Sequence, residues 1–263
     1  MPKKKKSEVK LNWKTAYDLM LERQKIKRIP TGTPIDQLIG GGIEEGSVTE
    51  FYGEYGSGKS QILFTLSAYV AGELKEDVVF VDCEDTFKPE RIREILERRG
   101  YPVEESMKRI HLLQPITVEE LTAIFEQIPK DIKPKLLCID GVTTLFRAEY
   151  IGRETLTERQ GILRKFLHDL KVWAKQNKVA VAIANQVYEK ADATPFTPLE
   201  YRELAVGGHS LYHTVDDRIF IRKAKGGTRI AKLVDSSSHP PAERPFKITE
   251  KGVEPLESES ESA

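Results

Sequence analysis

The sequence predicts an α/β fold: a mostly parallel central sheet flanked by helices and completed by antiparallel strands near the C-terminal end. Three observations carry this. Short apolar runs alternate with helical segments after residue 42, as βαβ units require. A glycine-rich phosphate-loop pattern joins one such run to a helix. Three further strand-like runs beyond residue 208 follow one another without a helix between them.

In chain order, residues 1–10 hold Lys3 to Lys6 and Lys10 and read as a disordered basic tail. Residues 11–29 form a helical linker, in which Trp13, Ala16, Tyr17, Leu19, Met20 and Ile26 are the apolar members. The turn-rich Ile29-Pro30-Thr31-Gly32-Thr33-Pro34 ends it and opens a core expected over 30–255. Val48–Phe51, Val78–Val81, Leu136–Ile139 and Val179–Ala184 are the clearest strands, rich in β-branched and apolar residues. Between them Gln61–Val70 and Glu90–Arg98 read as helices, and Leu156–Gln176 lines up Leu163, Phe166, Leu167, Leu170 and Trp173 on one core-facing stripe. Val215–Arg222, Arg229–Val234 and Phe246–Ile248 extend the sheet, with Gly226-Gly227 as a hairpin turn. Residues 256–263 alternate Glu with Ser and read as an acidic tail. Neither a repeat nor a second large domain is legible.

Composition narrows the functional classes. With 263 residues the chain buries a proper core, so disorder is not its main state. Lys+Arg and Asp+Glu both count 41, a formal net charge of zero that conceals the basic and acidic ends. Cys83 and Cys138 are the only two cysteines, and each sits within an apolar strand run. A disulfide framework and a zinc site are thereby excluded, and a reducing, cytoplasmic compartment is expected. No stretch has the roughly 20 apolar residues of a membrane helix, and Met1-Pro2-Lys3-Lys4 lacks a signal peptide's apolar core. Abundant Glu, Lys and Arg point to a thermostable protein. The lysine run fits either a solubilising tail or a nucleic-acid contact. None of His111, His168, His213 and His239 has metal-ligand spacing.

The chemistry begins at Gly53-Glu54-Tyr55-Gly56-Ser57-Gly58-Lys59-Ser60, a full match to G-x-x-x-x-G-K-[ST] between a predicted strand and a predicted helix that continues through Gln61. Such a loop turns backbone N–H groups inward around phosphate oxygens, assisted by the helix N-terminus. Lys59 is expected to reach the β and γ phosphates of ATP and the Ser60 hydroxyl to ligate Mg2+. A second acid on a neighbouring strand orients that metal, and Asp140, closing Leu136-Leu137-Cys138-Ile139-Asp140, is the candidate. The strand Val78–Val81 delivers Asp82, Glu84 and Asp85 to the same carboxyl edge, where ligands of open α/β sheets bind. Glu84 is the preferred holder and base of an attacking water, with Asp82 and Asp85 open alternatives.

Five stretches in order, Gly53–Ser60, Asp82–Ile92, Arg147–Arg153, Ala184-Asn185-Gln186-Val187 and Gly207-Gly208-His209, resemble the ATPase core of the RadA branch of the RecA recombinase family, over roughly Trp13 to Val253. The resemblance implies a RecA-type P-loop NTPase core and a DNA-stimulated ATPase of recombinational repair. It makes Glu84 the water-activating residue, Gln186 the sensor that relays the γ phosphate to a DNA loop, and Arg91 the residue stacked on adenine. In the family the ATP site lies between protomers. His209 and the segment Ser236–Glu243 would therefore face a neighbour's nucleotide, and Lys223 or Lys225 would neutralise charge there. Single-stranded DNA would run past two loops, Glu149–Thr157 and Val187–Val206. Arg147, Arg153, Lys190 and Arg202 are the contacts expected there, since charge pairing dominates single-strand affinity.

Trp13-Lys14-Thr15-Ala16, sixteen positions before Ile29, stands where RadA carries its F-x-x-A oligomerisation motif, an aromatic anchor of the hot-spot kind. Indole is larger than the usual phenyl guest. The second loop departs from RadA, carrying Glu189, Asp192, Glu200 and Glu203 against Lys190 and Arg202. The resemblance is to the RadA core alone, and no helix-hairpin-helix domain of the kind usual in RadA is expected ahead of Trp13. These departures resemble an archaeal RadA paralogue, a modulator of the main recombinase and nucleoid-associated. Two alternatives stand beside it: an ATP-binding mediator with little turnover that docks on RadA, and a self-sufficient strand-exchange recombinase. An ATPase of circadian or signalling type on the same fold lacks the Phe87-x-Pro89-Glu90-Arg91 and Gly207-Gly208-His209 stretches.

Overall fold

The computed structural model describes residues 13–152, 154–189 and 203–256. Helix α1 (Ala16–Arg23) is shorter than the helical linker expected over 11–29 and buries none of its residues. A reciprocal capping box between Thr15 and Asp18 starts it. The two-residue strands β1 (Arg28–Ile29) and β2 (Ile43–Glu44) pair antiparallel, with a 3-10 turn at Pro34–Gln37 between them. Strand β3 (Val48–Tyr52) then leads into helix α2 (Lys59–Gly72).

Next come β4 (Val78–Asp82), α3 (Pro89–Arg99), α4 (Val103–Met107), β5 (Ile110–Leu113), α5 (Val118–Thr122), α6 (Ile124–Gln127) and β6 (Leu136–Asp140). Helix α3 has proline at its first position and ends at Gly100, whose φ of 74° makes the left-handed C-cap that glycine takes without strain. Helix α7 (Thr144–Glu149) and the 22-residue α8 (Leu156–Asn177) precede β7 (Ala180–Asn185). Strands β8 (Val187–Glu189) and β9 (Glu203–Ala205) pair antiparallel across the second candidate DNA loop. Helix α9 (Gly208–Tyr212), β10 (Asp217–Lys223), β11 (Arg229–Ser236), β12 (Ala242–Thr249) and β13 (Gly252–Pro255) complete the order.

Among the described residues nine strands form one sheet in the order β13-β12-β11-β10-β3-β7-β6-β4-β5. From β10 to β5 every pairing is parallel, and from β10 outward through β13 every pairing is antiparallel. This is the RecA-type arrangement, mostly parallel with C-terminal antiparallel strands. The parallel strands β3, β4, β6 and β7 are buried at every position, as strands covered on both faces must be.

Two apolar layers enclose the sheet. Against one face pack α2 and α3, through Ile62, Leu66, Ile92 and Ile95, with Phe51, Phe80 and Phe246 beneath them. Against the other pack α5, α7 and α8 through Leu121, Phe146, Phe166 and Leu170 over Leu137, Ile139 and Val181. Trp173 of the predicted stripe lies against Phe125, ring centroids 5.5 Å apart. Four of the core strands expected from sequence are found within a residue or two, whereas β5 and β13 were not anticipated. Among the described residues no helix is long and apolar enough to cross a membrane.

Candidate functional site

The register of the parallel strands brings their carboxyl ends level. Tyr52 lies opposite Asn185, Asp82 opposite Asp140, and Asp140 opposite Ala184. One edge of the sheet thus carries the phosphate loop after β3, the acidic turn after β4, Asp140 at the end of β6 and Gln186 after β7.

The loop itself depends on glycine at two places. A Cβ at Gly53 would sit 2.1 Å from the Ile221 carbonyl oxygen of β10. Gly58, at φ 110°, is the left-handed residue from which α2 starts. Lys59 donates to the carbonyls of Gly53 and Glu54, both at 2.8 Å, so its ammonium lies across the loop. Burial pushes the Lys59 pKa down, while Asp140 and Glu84 pull it back up. Three buried polar atoms around the loop find no hydrogen-bond partner among the described residues: Ser57 Oγ, Asp140 Oδ2 and Arg229 Nε. Arg229 lies against Gly58, its Nε 3.3 Å from where a Cβ there would stand. Unpaired buried polar groups are rare in folded proteins, so their gathering at one loop marks a ligand site.

Asp140 is pushed up to about 6, first by burial and then by the neighbouring Glu84 and Asp82 charges, against a hydrogen bond from Ser60 and the charge of Lys59. Among the described residues no group of three or more His, Cys, Asp or Glu side chains could cage a metal. The donor set is one carboxylate beside one hydroxyl, which suits magnesium held jointly with substrate phosphates.

The three acids at the end of β4 differ in their partners. Asp82 accepts from the backbone N–H groups of Glu84, Thr86 and Phe87, and so is engaged in shaping the turn. Asp85 is exposed and near Gln114. Glu84 alone reaches across: its Oε1 accepts from Thr144 Oγ1 at 2.9 Å and from Gln186 Nε2 at 2.8 Å. Gln186 Oε1 in turn accepts from the Arg147 guanidinium at 3.3 Å. The site residues Glu84, Gln186 and Arg147, far apart in sequence, therefore form one hydrogen-bonded line.

Elsewhere the predicted residues disperse. Arg91, at the start of α3, donates to Gln61 Oε1 at 2.8 Å and also bonds Glu94 and the Thr249 carbonyl. Arg147 sits on helix α7 rather than in a loop. Lys223 lies on its own chain's phosphate loop, donating to the Tyr55 carbonyl at 2.9 Å with Glu54 3.9 Å away. Lys225 is exposed in the turn before β11, and the Tyr55 side chain is 89% exposed. Ser236 closes β11 and Ala242 opens β12, so the segment expected to cap a nucleotide is the connection between two antiparallel strands. Trp13 is 88% exposed, and Ala16 opens α1. The backbone of His209 lies in α9 and its side chain outside the described residues, as do Arg153, Lys190 and Arg202.

Sequence reasoning missed a buried polar group beneath the site. Arg218 Nε donates to Glu50 Oε2 at 2.7 Å, and Asn185 Nδ2 donates to Glu50 Oε1 at 2.9 Å. Asn185 also bonds the Val206 carbonyl, the Thr143 hydroxyl and the Gln186 N–H. The Arg218 guanidinium lies 4.8 Å from the Tyr52 ring centroid and 4.7 Å from that of Tyr212. Burial pushes the Glu50 pKa up despite Arg218 and Asn185. The available signal was a charge within each of two apolar strand runs, Thr49-Glu50-Phe51 and Arg218-Ile219-Phe220. Thr144 gave no signal, because its partner Glu84 is 60 positions away.

A phosphate loop, an acid two strands further along the sheet and a bridged carboxylate at the sheet's carboxyl edge define a phosphate-loop α/β protein of the RecA type. Residues 22–256 match the family model described as Rad51. Over 252 residues the chain is also 41% identical to the DNA repair and recombination protein RadA of Aeropyrum pernix, covering 92% of this chain and 78% of that one. The chain belongs to the Rad51 family and has a RadA-like recombinase core.

Proposed function

We propose that the protein is a DNA-stimulated ATP hydrolase that modulates RadA-type homologous recombination and repair. The observation that carries this reading is the line Glu84–Gln186–Arg147, which ties a carboxylate at the phosphate loop to a cation on the surface where DNA is expected. Phosphoryl transfer to water needs little covalent help from a protein; it needs positioning and charge. Glu84 holds and aligns the attacking water, and Lys59 leaves the Gly53 and Glu54 carbonyls to meet the β and γ phosphates. The backbone N–H groups from Gly53 to Ser60, followed by Gln61, cradle the phosphate chain, and Arg91 covers the adenine. Ser60 and Asp140 would hold Mg2+, which neutralises phosphate charge when bound.

Gln186 senses the phosphate end through Glu84 and communicates with Arg147, so a strand that recruits Arg147 alters the donor on Glu84. Arg153, Lys190 and Arg202 add phosphate contacts, and His209 with Lys225 faces a neighbouring protomer. Lys223 is better placed to act on its own loop, given its bond to the Tyr55 carbonyl. The work place is the cytoplasm, at the nucleoid.

A second reading is favoured by the exposed Trp13 ring: a mediator that docks on RadA, or on another copy of itself, through Trp13 and Ala16, with ATP as a slow switch. Steady-state ATP hydrolysis measured alone, with single-stranded and with duplex DNA, over a salt series separates the two. Stimulation by single strands that fades with salt supports the hydrolase. Flat, slow turnover moves the assignment to the mediator. Lys59→Ala abolishes turnover on the first reading, and hydrolysis retained in that variant overturns it.

A further inference from the structure

The carboxylate of Glu84 is fixed by more than the glutamine expected from sequence. Thr144 donates to Glu84 Oε1 at 2.9 Å, and Gln186 donates to the same oxygen at 2.8 Å. Oε2 receives no hydrogen bond among the described residues. One oxygen is anchored from two directions while the other stays available to accept from water.

Thr144 is itself held in place. It is the first residue of α7, four positions after Asp140, and its N–H donates to the Gly141 carbonyl at 2.9 Å. The Gly141 and Val142 N–H groups both donate to the Ala184 carbonyl, which fastens the turn to the end of β7. Gly141 has φ 81°, and a Cβ there would stand 2.5 Å from Glu84 Cγ and 2.7 Å from Thr144 Oγ1. The absent side chain is the space in which the glutamate and the threonine meet. A larger residue at 141 would push one from the other.

We infer that Thr144, in the room left by Gly141, is a positioning residue that aims the Glu84 carboxylate at the attacking water. This rests on the reading in which Glu84 holds that water. A charge-assisted hydrogen bond of this kind fixes both the rotamer and the carboxylate plane, and a small misalignment of a catalytic group is costly to rate. The hydroxyl of Thr144 is spent on the Glu84 carboxylate, so its removal is expected to act on the chemical step and leave nucleotide affinity alone.

The test uses the full-length protein, with steady-state hydrolysis beside equilibrium binding of a fluorescent ATP analogue and a thermal melt. Thr144→Val keeps the shape and removes the donor; its kcat falls about tenfold, with analogue affinity and melting temperature as in the wild type. Thr144→Ser restores the hydroxyl and the rate. A wild-type kcat in Thr144→Val overturns the inference. So does a fall in kcat that Thr144→Ser fails to rescue, or one accompanied by an equal loss of affinity. If the valine variant melts early, Gly141→Ala supplies the second arm: it keeps the Thr144 hydroxyl but displaces it from Glu84, and it must lower kcat without weakening the analogue. Failure of the hydrolase reading itself looks different, because the wild type and Lys59→Ala are then equally inactive while both Thr144 variants still bind nucleotide.

Discussion

Replacing Arg218 with alanine strips the buried Glu50 carboxylate of its cation. Glu50 is wholly inaccessible to solvent and Arg218 is 7% exposed, so no water replaces the lost guanidinium. Removing one partner of a buried ion pair costs about 3–5 kcal/mol, mainly because the other charge stays buried and unpaired. The two ring contacts with Tyr52 and Tyr212 add about 0.5–1 kcal/mol each. A domain of this size has about 5–15 kcal/mol of stability in all, so Arg218→Ala removes a large share. At about 2–4 °C for each kcal/mol, the melting temperature falls by about 8–28 °C.

The loss also depends on pH in a definite direction. Burial already holds the Glu50 pKa above its ordinary value, and without Arg218 it rises further. A carboxyl whose folded pKa is raised binds its proton more tightly in the native state. The penalty is therefore absent below the unfolded pKa and grows as pH climbs toward the folded one. Melting of wild type and Arg218→Ala, followed by circular dichroism at pH 4 and pH 8, checks both claims. A deficit under about 1 kcal/mol at pH 8, or a deficit that grows on acidification, refutes the reasoning. The double variant Glu50→Leu/Arg218→Met recovers most of the loss, since an apolar pair replaces a buried ion pair at little cost.

Other outcomes follow from the same geometry. Gly53→Ala forces a methyl against the Ile221 carbonyl, and the resulting overpacking of about 1–3 kcal/mol weakens fluorescent ATP analogue binding by about tenfold or more. Burial pushes both thiols up to about 12, so Cys83 and Cys138 stay protonated at pH 8. Iodoacetamide then leaves the native protein unmodified and labels both positions after guanidinium unfolding, as mass spectrometry would show. Trp13→Ala leaves the melting temperature unchanged, within about 0.5 kcal/mol, because the ring is exposed. On the docking reading the same change releases RadA in a pull-down or lowers the assembly mass by light scattering.

What was legible in the sequence was whatever local pattern determines. The phosphate loop, the four buried parallel strands and the stripe of α8 are short-range signals, a motif or a period, and they appear where expected. The strand β5 was not, since Ile110-His111-Leu112-Leu113 is short and becomes a strand only by pairing with β4. Helices α4 to α7 run four to six residues, too short for periodicity to show or for a helix to persist outside its tertiary setting. At the site, three acids within four residues look alike in sequence and differ only by partners that are distant along the chain: Glu84 meets Thr144 and Gln186, whereas Asp82 holds its own turn. The Glu50–Arg218 pair joins residues 168 positions apart, a distance no local pattern spans.

That separation bears on how the protein comes into being. Strand β3, which carries the phosphate loop, lies between β7 and β10, both of which leave the ribosome long after it. Its first residue, Val48, gives its N–H to Asp216, again 168 positions on. A nascent chain cut anywhere short of residue 217 would present β3 with at least one flank bare and the loop without the Ile221 backbone against which Gly53 fits. Non-local parallel pairing of this sort is slow to form and exposes strand edges while it waits. The competence to grip a nucleotide is thus acquired late in synthesis, and the half-made protein is the form most in need of a chaperone.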